Sequence, residues 1–300
     1  GDDLTTLTAG TSNFRAGVNA GDAIESGGNY NVVVGDEAGT AITTGDDNVA
    51  IGYAALDAQV AGSQNIAIGA NALGSEASGN YNTAIGREAL KTQNGATHNT
   101  AIGRTAGMLI TTGNYNTAVG SAALDANTTA DQNTAVGYAS LTANTTGTGN
   151  AAVGYDAGAA ITTGSYNSVL GRNAFLTNTT GGNNTAVGVN ALKYNTTASN
   201  NTAVGLDALR ENTTGTQNVA VGAYALDAGT IGRYNTALGY TALTTDVDGD
   251  FCVAVGYATL ATQESDGANQ AVYNTALGAY AGNGLTTAIH NTLLGGFAGG

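Results

Sequence analysis

Short apolar words recur along this chain, each followed by a polar, glycine-rich spacer. In "NTAVGVNAL" and "NIAIGANAL" a Thr or Ile, an Ala and a Val or Ile precede a Gly, and Ala-Leu follows three and four residues on. From Gly35 to Gly256 that Gly returns every 17 residues; an earlier copy ends at Gly17 and two later ones at Gly278 and Gly295, so 14 of 16 intervals are identical. Positions are counted here from that Gly as zero. Asn occupies −4 in 16 of 17 copies, with Cys252 the exception, and Val, Ile or Leu occupies −1 in 16 of 17, with Ala16 the exception.

The words are too short for helices, rich in Val, Ile and Thr, and bounded by Gly and Asn, which predicts strands and turns. One strand cannot bury its own apolar face, so equivalent units must stack. The expected fold is all-β: a parallel β-solenoid (β-roll) of about 17 coils with a 17-residue repeat. With strands about 4.8 Å apart, the stack extends roughly 80 Å. Residues 1–12 form a lead-in and residues 13–300 a single continuous repeat domain, with a five-residue insertion within 257–274.

The pattern also predicts directions. The Val/Ile column at −1 is expected to line the interior, each side chain contributing roughly 1.5–3 kcal/mol on burial. The Ala column at −2 then faces outward, a smooth strip along which copies pack. Asn at −4 is expected to form a ladder through successive coils, and the Gly to supply positive φ or close backbone approach. Leu or Phe usually stands at +4. Five internal coils carry Gly there instead (Gly21, Gly39, Gly107, Gly158, Gly282), and each has Ile or Leu at +7: Ile24, Ile42, Ile110, Ile161 and Leu285. Both positions are read as filling one pocket, so that core volume is kept.

Composition narrows the functional classes. The chain has 46 Gly, no Pro, no Trp and a net charge of −14, which disfavours nucleic acid and anionic membranes as partners. No stretch approaches the roughly 18 apolar residues of a membrane span. A single cysteine, Cys252, excludes an intrachain disulfide. Gly1 in place of Met, and a last copy that stops without a polar cap, lead us to expect a piece of a longer chain.

Candidate chemistry is sparse. His98 and His290 lie eleven coils apart and share position −5 with Tyr30, Tyr81, Tyr115, Tyr166, Tyr234 and Tyr273. These aromatics either stack coil on coil or contact glycans. "DVDGD" (Asp246, Asp248, Asp250) has the alternation of a calcium loop, yet Tyr257 stands where the EF-hand pattern needs Glu; these three are the weak metal candidates. "GSEASG" and "ESDG" place Ser near carboxylates with no His nearby, so no hydrolytic triad is expected. Neither catalytic residues nor a cofactor site are expected, and the chain is not read as an enzyme. N-T-T triplets from Asn127 to Asn212 match the glycosylation sequon, but their place in the repeat accounts for them. The insertion offers a surface-contact loop: Glu264, Asp266, Asn269 and Tyr273.

Words such as "NTAVGYASL", "NVAIGYAAL" and "NIAIGANAL" resemble the head repeats of trimeric autotransporter adhesins. The longer phrases "AGTAITTGDDNVAIGYAAL" and "AGAAITTGSYNSVLG" look more like repeats of bacteriophage tail-fibre and other virion structural proteins. The resemblance covers roughly residues 13–300 and departs from the adhesin head in its longer period. It implies a left-handed β-roll, three chains about one axis, and a phage tail-fibre shaft or head that attaches to a host-surface glycan or protein receptor. It further implies a virion or extracellular, cell-surface location, with no nucleic-acid partner and no membrane insertion. A bacterial trimeric surface adhesin head is the first alternative. An ice-binding solenoid is the second; it needs flat Thr rows, and Thr83 to Thr134 at −3 form one that Val32, Val49 and Ile66 interrupt.

Overall fold

A computed structural model describes residues 4–5, 10–266 and 270–299. The fold is a parallel β-solenoid with a 17-residue coil. The chain falls into two compact units, Gly1–Gly149 and Asn150–Gly300. In the first unit β1 (Leu4–Thr5) pairs antiparallel with β2 (Phe14–Ala16), and from β2 onward each three-residue strand pairs in parallel with the next, as far as Thr134–Val136. The second unit repeats the arrangement from Ala151–Val153 to Thr292–Leu294. Register is kept throughout: Thr117 lies opposite Thr134 and Val119 opposite Val136, as Thr185 does opposite Thr202 and Val187 opposite Val204.

The direction of the strand side chains is the reverse of the expectation. Ala at −2 points inward: Ala118, Ala135, Ala186 and Ala203 are buried. Val, Ile and Leu at −1 point outward, Val119 and Val136 half-exposed and Val153 38% exposed. The stacking of equivalent Val residues therefore holds, but they line the outside. The cause is the narrowness of the coil. At −2 the strand faces the +4 wall, and the space left mostly holds a methyl group; Val33 and Val169 are the buried exceptions. The bulky interior residues come from the other wall, where Leu56, Leu73, Leu124, Leu192 and Leu209 at +4 are fully buried beside Ala at +3.

The volume exchange between +4 and +7 takes place inside the coil. A Cβ added to Gly39 would sit 2.8 Å from Ile42 Cδ1, and one added to Gly107 would sit 2.9 Å from Ile110 Cδ1. Ile24, Ile42, Ile110 and Ile161 are buried and Leu285 is half-buried. In coils with Leu or Phe at +4, position +7 is buried as well but mostly polar: Gln59, Glu76, Asn127, Asn144, Asn195 and Asn212 among others.

Turns make up the rest of each coil, and they depend on left-handed backbone at fixed places. In the coil around Gly188, Asn183 (φ 57), Asn190 (φ 57) and Leu192 (φ 50) all adopt it. These residues aim their amides along the stack in both directions: Asn190 N–H donates to the Arg172 carbonyl at 3.1 Å and Leu192 N–H to the Ala208 carbonyl at 3.0 Å. Gly188 itself has φ 133, and a Cβ there would fall 2.3 Å from the Gly205 carbonyl oxygen, so only glycine fits.

Two substitutions test these directions. Ala203→Leu is expected to destabilise the chain by about 1–3 kcal/mol through overpacking, and Leu209→Ala by about 2–5 kcal/mol through the cavity it leaves. Urea unfolding midpoints measure both. A neutral Ala203→Leu would mean that this column does not face the interior.

Candidate functional site

Three side-chain ladders and one exposed face repeat along this chain. The first ladder is Asn at −4. Asn48 N–H donates to Asn31 Oδ1 at 3.0 Å, while Asn48 Nδ2 reaches the same oxygen at 3.1 Å and the Gly62 carbonyl at 2.9 Å. Asn184 does the same with Asn167 and the Ala198 carbonyl in the second unit. Each amide thus joins one coil to the coil before it and closes the turn of its own. A second ladder at −6 runs the opposite way. Asn29 N–H donates to Asp46 Oδ1 at 2.7 Å, Asp46 N–H to Ser63 Oγ at 3.0 Å and Ser63 N–H to Asn80 Oδ1 at 2.7 Å. The third is Thr at +8, whose hydroxyl donates to the equivalent carbonyl one coil on, as Thr179 does to Thr196 and Thr196 to Thr213.

The polar residues singled out in the sequence are mostly absorbed by this scaffold. Asn127, Asn144, Asn178, Asn195 and Asn212 of the N-T-T triplets are buried at +7, so the folded chain presents none of these five amides to a glycosylating enzyme. Asp246, Asp248 and Asp250 do not converge. Asp246 is buried at +7 and accepts from Gly249 N–H at 3.1 Å. Asp248 accepts from the Ser265 hydroxyl. Asp250 belongs to the −6 ladder, accepting from Arg233 N–H at 2.7 Å and from its guanidinium at 3.2 Å. Among the described residues no group of His, Cys, Asp or Glu is placed to hold a metal ion, and there is no pocket. Of the insertion, Glu264 and Asp266 are exposed, Glu264 N–H is tied to the Thr286 carbonyl at 2.8 Å, and Asn269 lies outside the described residues.

One carboxylate escaped the sequence reading. Glu76, in "GSEASG", is fully buried at +7 and accepts from the backbone N–H groups of Ser78, Gly79 and Gly95 and from Gln93 Nε2, at 2.5–2.9 Å. Among the described residues no Lys, Arg or His pairs with it; the four donors satisfy its oxygens. Only the +7 register, rather than any local motif, marks it as interior.

The aromatic residues at −5 stack where adjacent coils both carry one. Tyr81, His98 and Tyr115 form one run with ring centroids 4.8 and 5.0 Å apart; Tyr234, Phe251, Tyr273 and His290 form another at 4.9–5.4 Å. Tyr224, Tyr240, Tyr257, Tyr280 and Phe297, at +1 and +2, make a third. Where rings stack, their faces are occupied by each other, and what they turn to solvent is mainly edges and hydroxyls. That leaves little room for a sugar to stack on them.

The exposed face is defined by large apolar side chains. Among the described residues, all but five of those left exposed fall between −5 and +2; the exceptions are Val60, Leu109, Tyr194, Val247 and Ile289. In each unit this face is the outward side of the strands, with Thr, Val or Ile at −3 and Val, Ile or Leu at −1, edged by −5 on one side and +1 and +2 on the other. Exposed apolar side chains gathered on one face are a common feature of surfaces that meet a partner. Comparison with protein-family models, curated proteins and solved structures finds no match.

The ladder has one flaw. Cys252 replaces Asn at −4; its backbone N–H donates to Asn235 Oδ1 at 2.8 Å, and its side chain has no amide to donate onward. Burial pushes its thiol up to about 12. Cys252→Asn is expected to raise stability by about 1 kcal/mol, read from the urea midpoint. Burial likewise raises Asp246 above the ordinary 3.8. The folded state then binds the proton more tightly than the unfolded one, so stability falls as pH rises from 3.8 towards the folded value. Asp246→Asn is accordingly expected to stabilise at pH 7 and to lose that advantage below pH 4, in melting temperatures across that range.

Proposed function

We propose that this chain is a structural, adhesive fibre segment that acts as a homotrimer, in the manner of a phage tail-fibre shaft or head that reaches towards a host surface. The exposed strand face carries the reading. Ile51, Ile102, Val153, Leu170 and Leu277 stand outward at the same −1 position of their strands, and burying them against other copies removes an apolar strip that a lone chain leaves wet. The outward Val/Ile/Leu column, rather than the Ala column, is the packing strip. Identical coils then present identical contacts, and several weak contacts to a receptor glycan or protein combine into avidity. On this reading the chain is not an enzyme, needs no cofactor, and belongs to a virion or a cell surface.

Solution mass tests it. The chain at micromolar concentration is expected at three chain masses, and Val187→Glu with Val204→Glu is expected to give a folded monomer with unchanged β-sheet circular dichroism. A monomeric parent chain would overturn the proposal. A second reading has one supporting observation: Thr83, Thr100, Thr117 and Thr134 face outward in consecutive coils, as an ice-binding row requires. The oligomeric reading predicts no thermal hysteresis in freezing assays, because that row is then covered by neighbouring copies.

A further inference from the structure

The tyrosines are sorted by column. At −5 no two of them occupy successive coils: Tyr30 is followed by Asp47, Tyr81 and Tyr115 are separated by His98, Tyr166 is followed by Asn183, and Tyr234 and Tyr273 are separated by Phe251. Beyond the strand, at +1 and +2, Tyr138 is followed by Tyr155, and Tyr224, Tyr240, Tyr257 and Tyr280 occupy four successive coils. The last two of these bracket the insertion. Gly256 and Gly278 are 22 residues apart where the repeat step is 17, and Tyr257 and Tyr280 stand just after each.

The backbone pins this pair across the enlarged coil, because Tyr280 N–H donates to the Tyr257 carbonyl at 2.8 Å. Their ring centroids lie 5.1 Å apart, with the planes inclined by 65°. The Tyr257 hydroxyl lies against that of Tyr280 and holds the Tyr280 phenol above its ordinary 10. Phe297 stacks on Tyr280 from the next coil, at 4.9 Å, and fixes that ring in place. Tyr257 is exposed and Tyr280 half-exposed. The rest of the row differs: Tyr240 and Tyr257 stack almost parallel, at 12° and 5.5 Å, and Tyr224 and Tyr240 stand 5.9 Å apart.

A phenol oxidised by one electron becomes a phenoxyl radical, whose unpaired spin rests partly on the carbons ortho to oxygen. Those carbons flank the hydroxyl, so inclined rings whose hydroxyls meet present ortho carbon to ortho carbon, while parallel rings present faces. We propose that Tyr257 and Tyr280 form an oxidative cross-linking site, which a one-electron oxidant of the haem-peroxidase class, using hydrogen peroxide, converts to a dityrosine. Each phenol loses one electron and one proton, the two radicals join carbon to carbon, and each ortho hydrogen moves to its ring's oxygen, which restores both phenols. Hydrogen peroxide accepts the two electrons and two protons and leaves as two waters. The new bond closes residues 257–280 into a covalent ring around the insertion. Such a link stabilises by restricting the unfolded chain, as a disulfide does, and with Cys252 alone this chain forms no intrachain disulfide. The site is independent of how copies of the chain pack.

The full chain, dilute, is treated with a haem peroxidase and limiting hydrogen peroxide, then unfolded and cut after glutamate. Glu264 is the one Glu beyond Glu211, so the cut separates Tyr257, in fragment 212–264, from Tyr280, in fragment 265–300. The treated chain is expected to run as a single chain on a denaturing gel before cutting, and the two fragments to stay joined after it, at their summed mass less two hydrogens. Tyr257→Phe and Tyr280→Phe keep the rings; each is expected to fold with the parent's circular dichroism and to release the two fragments separately. Tyr273→Phe is expected to leave them joined. Treatment is also expected to raise the urea midpoint of the parent and to leave that of Tyr257→Phe unchanged. Fragments that part in the treated parent, that stay joined in either of the first two variants, or that are joined only in species of two chains would each overturn the proposal.

Discussion

Every stabilising feature of this chain presupposes hydrogen bonding between equivalent residues one coil apart. Strands of three residues are too short to persist alone, and the rest of each coil is turn. What holds the turns is that their backbone amides point along the stack and are met by the next coil, with side chains of Asn at −4, Asn, Asp or Ser at −6 and Thr at +8 extending the ladder where backbone groups do not suffice. A slip of one residue would break all of these at once and carry Ala out of the interior and Val into it. Register is therefore specified many times over, which explains how so slight a core keeps a single arrangement.

The interior is filled by small, repeated choices. Ala at −2 faces Leu at +4 across a narrow coil, and where Leu gives way to Gly an Ile at +7 returns the volume. The same +7 position, when polar, turns its amide back on the coil: Asn195 Nδ2 donates to the Ala198 carbonyl at 3.0 Å and Asn212 Nδ2 to the Gly215 carbonyl at 3.0 Å. Such buried amides are tolerated where the backbone offers a carbonyl at a fixed offset; Asn178, whose Nδ2 and Oδ1 both lack a partner among the described residues, is the exception. Asp246 and Cys252 mark the place where that pattern lapses, just before the insertion.

The interior is closed, no pocket is found among the described residues, and what repeats on the outside is surface. Repetition places one kind of apolar contact at every step, and such a surface is suited to a partner with the same repeat. Another copy of the chain meets that requirement with no further specificity device. The adhesive role proposed for the chain rests on such an assembly and not on any one residue.

The sequence alone determined the coil length, the parallel register, the Asn ladder and the exchange between +4 and +7, because each is a correlation between positions 17 apart or within one coil, and stacking turns such correlations directly into contacts. It did not determine which side of the strand is interior. Alternation tells that −1 and −2 face opposite ways, but Val is the better core residue in general, and only the width of the closed coil gives the interior to Ala. Nor did it show the left-handed backbone of Leu192 and Asn190, since no residue type there requires it; the amides of neighbouring coils impose it. The burial of Glu76 and the N-T-T asparagines belongs to the same class: local sequence leaves them as surface polar residues, and the three-dimensional path of the turn decides where they point; for the aromatic rows the repeat offered stacking as one of two readings, and the structure shows it.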